Sequence, residues 1–343
     1  MIRMSKPVRI AMIVTLLFGS VIQIQAQAQT EPVKKASAKQ ASKAKNATPK
    51  RPLIKATQEN VAYGKHERQV VDFYKADSTK PTPVVLFIHG GGWVNGDKSG
   101  VQSSLDLAKL LKNGISVVSV QYRMVPDAQK NGIQPPVKWP LEDAKRALQF
   151  VRSKSGEWNI DKIRIAACGG SAGACSSLWL AMHDEMSEAK SDDPVARESS
   201  RLWGAVVAGA QTQLDPKMTR QWMPNMAYGG HAFGFRSDKQ ERSSEFQRFY
   251  DGREQVLPWI REYSPMELLT RDDPPMILIY TGTEKVIKGQ PQTDPTHSPL
   301  LGKMLAEKAE PLGVRAVVSY PAEPNPDYKN LTDSLMKLLN ESR

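Results

Sequence analysis

Short apolar runs alternate with amphipathic stretches along most of this chain. Pro83–Ile88, Ile115–Tyr122, Ile163–Ala167, Ala205–Ala208, Met276–Tyr280 and Val314–Tyr320 are runs with little or no polar face, the pattern of strands buried on both sides. Between them, Ser103–Leu111, Leu141–Val151, Ala172–Met182, Leu300–Ala309 and Leu331–Leu339 repeat apolar residues at helical spacing. Strands that alternate with helices predict an α/β domain with a mostly parallel central sheet flanked by helices. Gln69–Tyr74, with its alternating apolar side chains, is expected to be an antiparallel edge strand ahead of the parallel set. No internal repeat is visible.

The rhythm breaks between about Gln213 and Asp273, where Trp, Tyr, Met, Gly and Arg accumulate without a strand pattern. Such an insertion predicts a cap over the carboxyl edge of the sheet, the edge where open α/β sheets bind ligands. Its aromatic residues (Trp222, Tyr228, Phe233, Phe235, Tyr250, Trp259) either line a pocket or form a small core of their own.

The N-terminus follows a different logic. Arg3, Lys6 and Arg9 precede a mostly apolar stretch, Ile10–Ile22, and Ala26-Gln27-Ala28 follows. Positive charge, apolar stretch and small-x-small site in that order predict a signal peptide over 1–28. The stretch is shorter than the ~20 residues a transmembrane helix needs, so no integral span is expected once it is cleaved. Residues 29–55 are mainly Ala, Lys, Gln, Thr and Pro and cannot bury enough surface to offset their ordering entropy. A disordered basic linker is expected there, followed by one domain over 56–343.

This division changes the reading of charge. The formal net charge is +11, but 11 of the 47 Lys and Arg lie in residues 1–55, against one acidic residue, Glu31. The remaining 288 residues carry 36 basic and 35 acidic side chains. The domain itself is balanced, and a nucleic-acid partner, which needs a basic stripe on the fold, is excluded. Neither a His-Glu-x-x-His pattern nor a Cys/His ligand cluster occurs, so no metal is expected. Nor is a phosphate-binding Gly-rich loop present, and no cofactor is expected. Cys168 and Cys175 are read as buried apolar fillers rather than a disulfide.

Chemistry concentrates at Gly169-Gly170-Ser171-Ala172-Gly173, where an apolar strand runs into an Ala-rich helix. Gly-x-Ser-x-Gly in that setting holds a serine hydroxyl on a tight turn above the sheet, with glycines that let strand and helix pass closely. A simple helix N-cap is the plainer use of such a serine, and a dinucleotide-binding loop would need glycine at position 171. A second signal, His89-Gly90-Gly91-Gly92-Trp93, directly follows the strand ending at Ile88. Consecutive glycines can turn backbone N–H groups toward an oxygen that becomes negative during acyl transfer.

Together these two motifs resemble the hormone-sensitive-lipase-like and carboxylesterase branch of the α/β hydrolases. Pro140-Leu141-Glu142-Asp143-Ala144 and Asn159-Ile160-Asp161 are similar to that branch's elements before the nucleophile strand. The resemblance is close from about Pro83 to Gly173 and elsewhere one of layout. It implies an α/β-hydrolase fold with a cap after the sixth strand, Ser171 as nucleophile, and oxyanion donors at the N–H groups of Gly91, Gly92 and Ala172.

The rest of such a site is an acid after the next-to-last strand and a histidine after the last. Thr281-Gly282-Thr283-Glu284-Lys285-Val286 resembles the acid turn, which makes Glu284 the expected acid and Asp294 the fallback. After Val314–Tyr320, however, no histidine remains. Of the chain's five, His66 lies early, His89 belongs to the glycine loop and His183 sits three turns beyond Ser171. His297 is the expected base, because its loop should leave the sheet beside Ser171, with His231 in the cap as the alternative. The function expected is an exported (periplasmic or secreted) serine carboxylic ester hydrolase acting on small-molecule or carbohydrate-linked esters such as acylated polysaccharides. The rivals are a hydrolase-fold binding protein that has lost its base, and a serine peptidase.

Overall fold

A computed structural model describes residues 52–237 and 241–342. The expected signal peptide and most of the expected linker lie outside the described residues. Eight strands form one sheet: β1 (Gln58–Ala62), β2 (Val70–Tyr74), β3 (Thr82–Ile88), β4 (Ser116–Val120), β5 (Ile160–Gly170), β6 (Gly204–Ala208), β7 (Met276–Ile279) and β8 (Ala316–Ser319). Their spatial order is β1-β2-β4-β3-β5-β6-β7-β8. The first two pairings are antiparallel and all later ones parallel.

Both faces are covered, as the unbroken apolar runs require. Along β3, Val84, Leu86 and Ile88 belong to the same core as helices Lys138–Ser153, Ala172–Met182 and Pro299–Ala309. Val85 and Phe87 face the other way, toward Leu107–Lys112 and Leu331–Asn340. The chain is therefore an α/β hydrolase in architecture, with helix, sheet and helix layers.

Two expectations need correction. The strand at Gln69–Tyr74 is antiparallel, but β1 pairs outside it, so β2 is not the edge. Gln-Glu-Asn-Val-Ala has no apolar alternation because β1 is largely exposed. The helix expected over Ser103–Leu111 breaks into Val101–Ser104 and Leu107–Lys112, because the Asp106 carboxylate accepts from Lys109 N at 3.0 Å and starts a new helix.

Register positions the functional loops. Ile88 pairs with Gly169, Gly170 with Ala208, and Ala208 with Ile279. Loops leaving β3, β5, β6 and β7 thus emerge side by side at one edge. Between β6 and β7 the chain forms helices Pro216–Trp222, Arg242–Asp251 and Arg253–Tyr263, and no strand among the described residues. Phe233 stacks on Phe249 at 5.2 Å, Phe235 lies tilted against it at 5.4 Å, and Phe246 completes a small aromatic core in this excursion.

Candidate active site

Ser171 stands at φ 52°, ψ −120°, between the end of β5 and helix Ala172–Met182. A side chain at positive φ costs about 1–3 kcal/mol and persists only where its surroundings impose it. Here they do: Ser171 N donates to Ala208 O at 2.9 Å, and Cys175 N donates to Ser171 O at 2.9 Å. The helix passes so close to β3 that a Cβ on Gly173 would lie 2.0 Å from Ile88 O and 2.7 Å from His89 O. The motif's last glycine is thus a steric necessity. Cys168 and Cys175 are both free and buried, which pushes their thiols up out of the ionising range.

The glycine loop runs beside this turn. A Cβ on Gly90 would be 3.6 Å from Ser171 Cβ, and Gly91 and Gly92 follow at φ +102° and +62°. Three side chains hold the loop. Trp93 is fully buried and donates its Nε1–H to Ser176 Oγ at 2.9 Å, tying the loop to the serine's helix. Tyr122 donates to His89 O at 2.8 Å. The His89 ring stacks on Tyr122 at 4.2 Å with Nδ1 2.8 Å from Gly90 O, and burial lowers its pKa. His89 therefore builds the loop as a neutral ring. Ala172 opens the buried helix, whose first N–H groups have no acceptor within it.

His297 Nε2 lies 2.9 Å from Ser171 Oγ, and His297 Nδ1 lies 2.7 Å from Asp294 Oδ2. With Nδ1–H donated to the carboxylate, Nε2 is left to accept the serine proton. The structure brings Ser171 and His297 together, whereas the carboxylate at the imidazole is that of Asp294 and not Glu284. Glu284 Oε2 instead accepts from Thr293 Oγ1 at 3.0 Å, on the outer wall of a cavity that Asp294 and His297 also border. The reason is local. Asp294 caps the short turn Pro295–His297, accepting from His297 N at 3.3 Å, so acid and base are three residues apart in one loop.

This loop is fastened from the cap side by residues that sequence reasoning missed. Gln211 Nε2 donates to Thr296 O at 2.7 Å and to Gly209 O at 3.1 Å. Asn225 and Gln292 exchange two hydrogen bonds, Nδ2 to Gln292 O at 2.7 Å and Gln292 N to Oδ1 at 3.0 Å. None of the other histidines is hydrogen-bonded to Ser171, although His231 borders the same cavity as the serine. His66 accepts from Arg68 N, His183 Nε2 is 3.3 Å from Glu262, and His231 Nδ1 is 3.6 Å from Glu245.

A cavity of about 400 Å³ opens over the serine, lined by Gly92, Val94, Ser171, Tyr228, His231, Arg236, Arg242, Glu245, Thr296 and His297. Among the described residues of this lining, only Val94 has an aliphatic side chain. Of the cap aromatics, Tyr228 belongs to this cavity and Phe233 and Phe235 to the cap's own core. Among the described residues, no cluster of His, Cys, Asp and Glu could hold a metal ion, and no helix is long and apolar enough to cross a membrane.

Comparison with known proteins agrees with this fold. The esterase LipC of Mycobacterium tuberculosis is 27% identical over 241 residues, which cover 66% of this chain and 51% of LipC. The chain thus spans about half the length of that relative. A truncated carbohydrate esterase from gut microbiota superimposes with TM-score 0.59 at 18% identity, covering 83% of this chain and 96% of that one. The acetyl ester-xyloside bifunctional hydrolase from Caldicellulosiruptor lactoaceticus gives 0.55 at 21% identity, covering 80% and 88%. At such identities the likeness is one of fold. The BD-FAE family matches residues 71–295, well over half of the sequence. The chain belongs to the BD-FAE family, within the hormone-sensitive-lipase-like and carboxylesterase branch of the α/β hydrolases.

Proposed function

We propose that the protein is an exported, serine-dependent carboxylic ester hydrolase that removes acyl groups from polysaccharides. The observation that carries the reading is the relay Ser171 Oγ, His297 Nε2, His297 Nδ1, Asp294 Oδ2, with its 2.9 and 2.7 Å separations. Those distances are within reach of direct proton transfer in an unliganded site.

In this mechanism Ser171 Oγ bonds to the ester carbonyl carbon as its proton passes to His297 Nε2. Asp294 holds the ring's tautomer and steadies the imidazolium. The carbonyl oxygen, now negative, is taken up by the N–H groups of Gly91, Gly92 and Ala172. Collapse expels the alcohol, which leaves with the proton from Nε2. Water then attacks the acyl-serine by the same route, with His297 as base, and releases the acid.

The substrate half of the reading rests on the polar cavity and on relatives named as a carbohydrate esterase and an acetyl ester-xyloside hydrolase. The export half rests on the charge, apolar stretch and Ala26-Gln27-Ala28 pattern of the N-terminus. A binding protein without a base was the competing expectation, and a histidine within hydrogen-bond distance of Ser171 weighs against it.

Hydrolysis of p-nitrophenyl acetate by the purified chain tests the chemistry. Ser171→Ala and His297→Ala should each lower kcat by at least about 10³-fold, as for members of other serine triads. Wild-type turnover no faster than that of Ser171→Ala, on longer and aromatic esters as well, would transfer the assignment to the binding protein.

A further inference from the structure

Two buried polar atoms converge beside the glycine loop without a partner among the described residues: His231 Nε2 and Tyr228 Oη. His231 is 7% exposed. A methyl group placed on Gly92 would lie 3.7 Å from the first atom and 3.8 Å from the second. Both residues line the cavity that contains Ser171 Oγ. Buried polar groups are almost always hydrogen-bonded, and an exception in a cleft calls for a ligand or a catalytic explanation.

Their surroundings hold them in that orientation. The other nitrogen of His231 faces Glu245 Oε1 at 3.6 Å, which leaves Nε2 on the side of Gly92. Burial opposes the charge of Glu245, but hydrogen bonding and attraction from His231 outweigh it and keep the carboxyl below its usual range. The Tyr228 ring packs edge-on against His231 at 4.9 Å, and the Arg242 guanidinium covers it at 5.0 Å. Arg242 is itself tied to Ala227 O and Thr296 Oγ1. Burial pushes the Tyr228 hydroxyl up, so it stays protonated and can donate.

We propose that His231 Nε2 and Tyr228 Oη form a subsite for a second oxygen of the substrate, a hydroxyl on the alcohol part close to the scissile ester. Neither group belongs to the relay or to the backbone donors, so their contribution is selectivity between esters. The alcohol part is the one to assign, because an acyl chain needs an apolar wall and this cavity has Arg236, Arg242 and Glu245 instead. A site built to hydrogen-bond a hydroxyl discriminates strongly against the analogue that lacks it, since the buried groups are then left unpaired. This subsite presupposes the serine-ester chemistry proposed above.

The test compares trans-2-hydroxycyclohexyl acetate with cyclohexyl acetate, which differ by one hydroxyl, and uses p-nitrophenyl acetate as a check on the chemistry. The wild type should favour the hydroxy ester by at least about tenfold in kcat/KM. Tyr228→Phe, which removes one oxygen and keeps the ring, should cut that preference at least about fivefold, and His231→Leu should do the same. His231→Gln, which keeps a nitrogen donor near the Nε2 position, should restore part of it. Absence of a preference in the wild type, or variants that lose both esters equally, with p-nitrophenyl acetate still turned over by the wild type, would overturn the subsite alone. Inactivity of the wild type on all three esters would overturn both the subsite and the esterase reading.

Discussion

The two halves of the site are built from different materials. On one side, Ser171 and the Gly90–Gly92 loop are fixed in the interior, by close backbone approach to a wholly buried β3 and by the buried side chains of Trp93 and Tyr122. On the other, His297 and Asp294 sit in a loop between β7 and helix Pro299–Ala309, with side chains 39% and 59% exposed. That loop is held by side-chain hydrogen bonds from Gln211 and Asn225. A nucleophile must sit at one point relative to its oxyanion donors, so steric exclusion suits it. A base needs only to reach that point, and any loop that delivers an imidazole will serve.

The contrast breaks most sharply at Gly173. Gly173→Ala places a methyl 2.0 Å from a backbone oxygen of β3 that has nowhere to go. A loss of more than about 4 kcal/mol is expected, enough to deplete the soluble folded protein. Circular dichroism and thermal melting check this. A folded, near-wild-type Gly173→Ala variant would mean that helix and strand are not locked as described.

The next effect separates Asp294 from Glu284. Asp294→Asn should lower kcat about 10²-fold, because an amide can hold the wrong tautomer and cannot steady an imidazolium. A larger loss is not expected at a carboxylate this open to water. Glu284→Gln should stay within about twofold, since Glu284 bonds Thr293 rather than the imidazole. Steady-state kinetics on one acetate ester suffices. The reverse ranking would restore Glu284 as the acid.

The same division explains what could be read from the residue order. The tight turn at Ser171 and the Gly91–Gly92 loop were legible as backbone features because close backbone approach demands small residues at set spacings, and sterics write themselves into sequence. The parallel strands were legible because burial on both faces leaves unbroken apolar runs. Strand β1 was not, since an exposed pairing imposes no apolar period. His297 emerged by exclusion among five histidines and by the edge its loop should leave. Asp294 ranked behind Glu284 because the turn after β7 looks like the family's acid turn. A local signal pointed the other way: Asp294-Pro295 begins a turn with a capping carboxylate and a proline in its first position. Such a cap sets its oxygens beside the third residue, which is His297. Gln211 and Asn225 left no trace, because their partners in that loop are backbone groups 85 and 67 residues away.

The smallest effect tests those fasteners. Gln211 Nε2 bonds Thr296 O, one residue before the base, and Gly209 O, one residue beyond β6. It thereby fixes the imidazole's distance from a strand whose last residue, Ala208, also anchors Ser171 N. Gln211→Ala removes this link without touching substrate or the relay. An ångström of drift at the base lowers turnover more than binding, and a loss of about tenfold in kcat with KM little changed is expected. The melting temperature should move by only a few degrees, since one hydrogen bond contributes about 1 kcal/mol. Gln211→Glu keeps an oxygen acceptor where an N–H donor is required, so it should not rescue. A kcat loss matched by an equal rise in KM would make Gln211 a wall of the substrate cavity, and the base would then be as firmly placed by its own backbone as the nucleophile is.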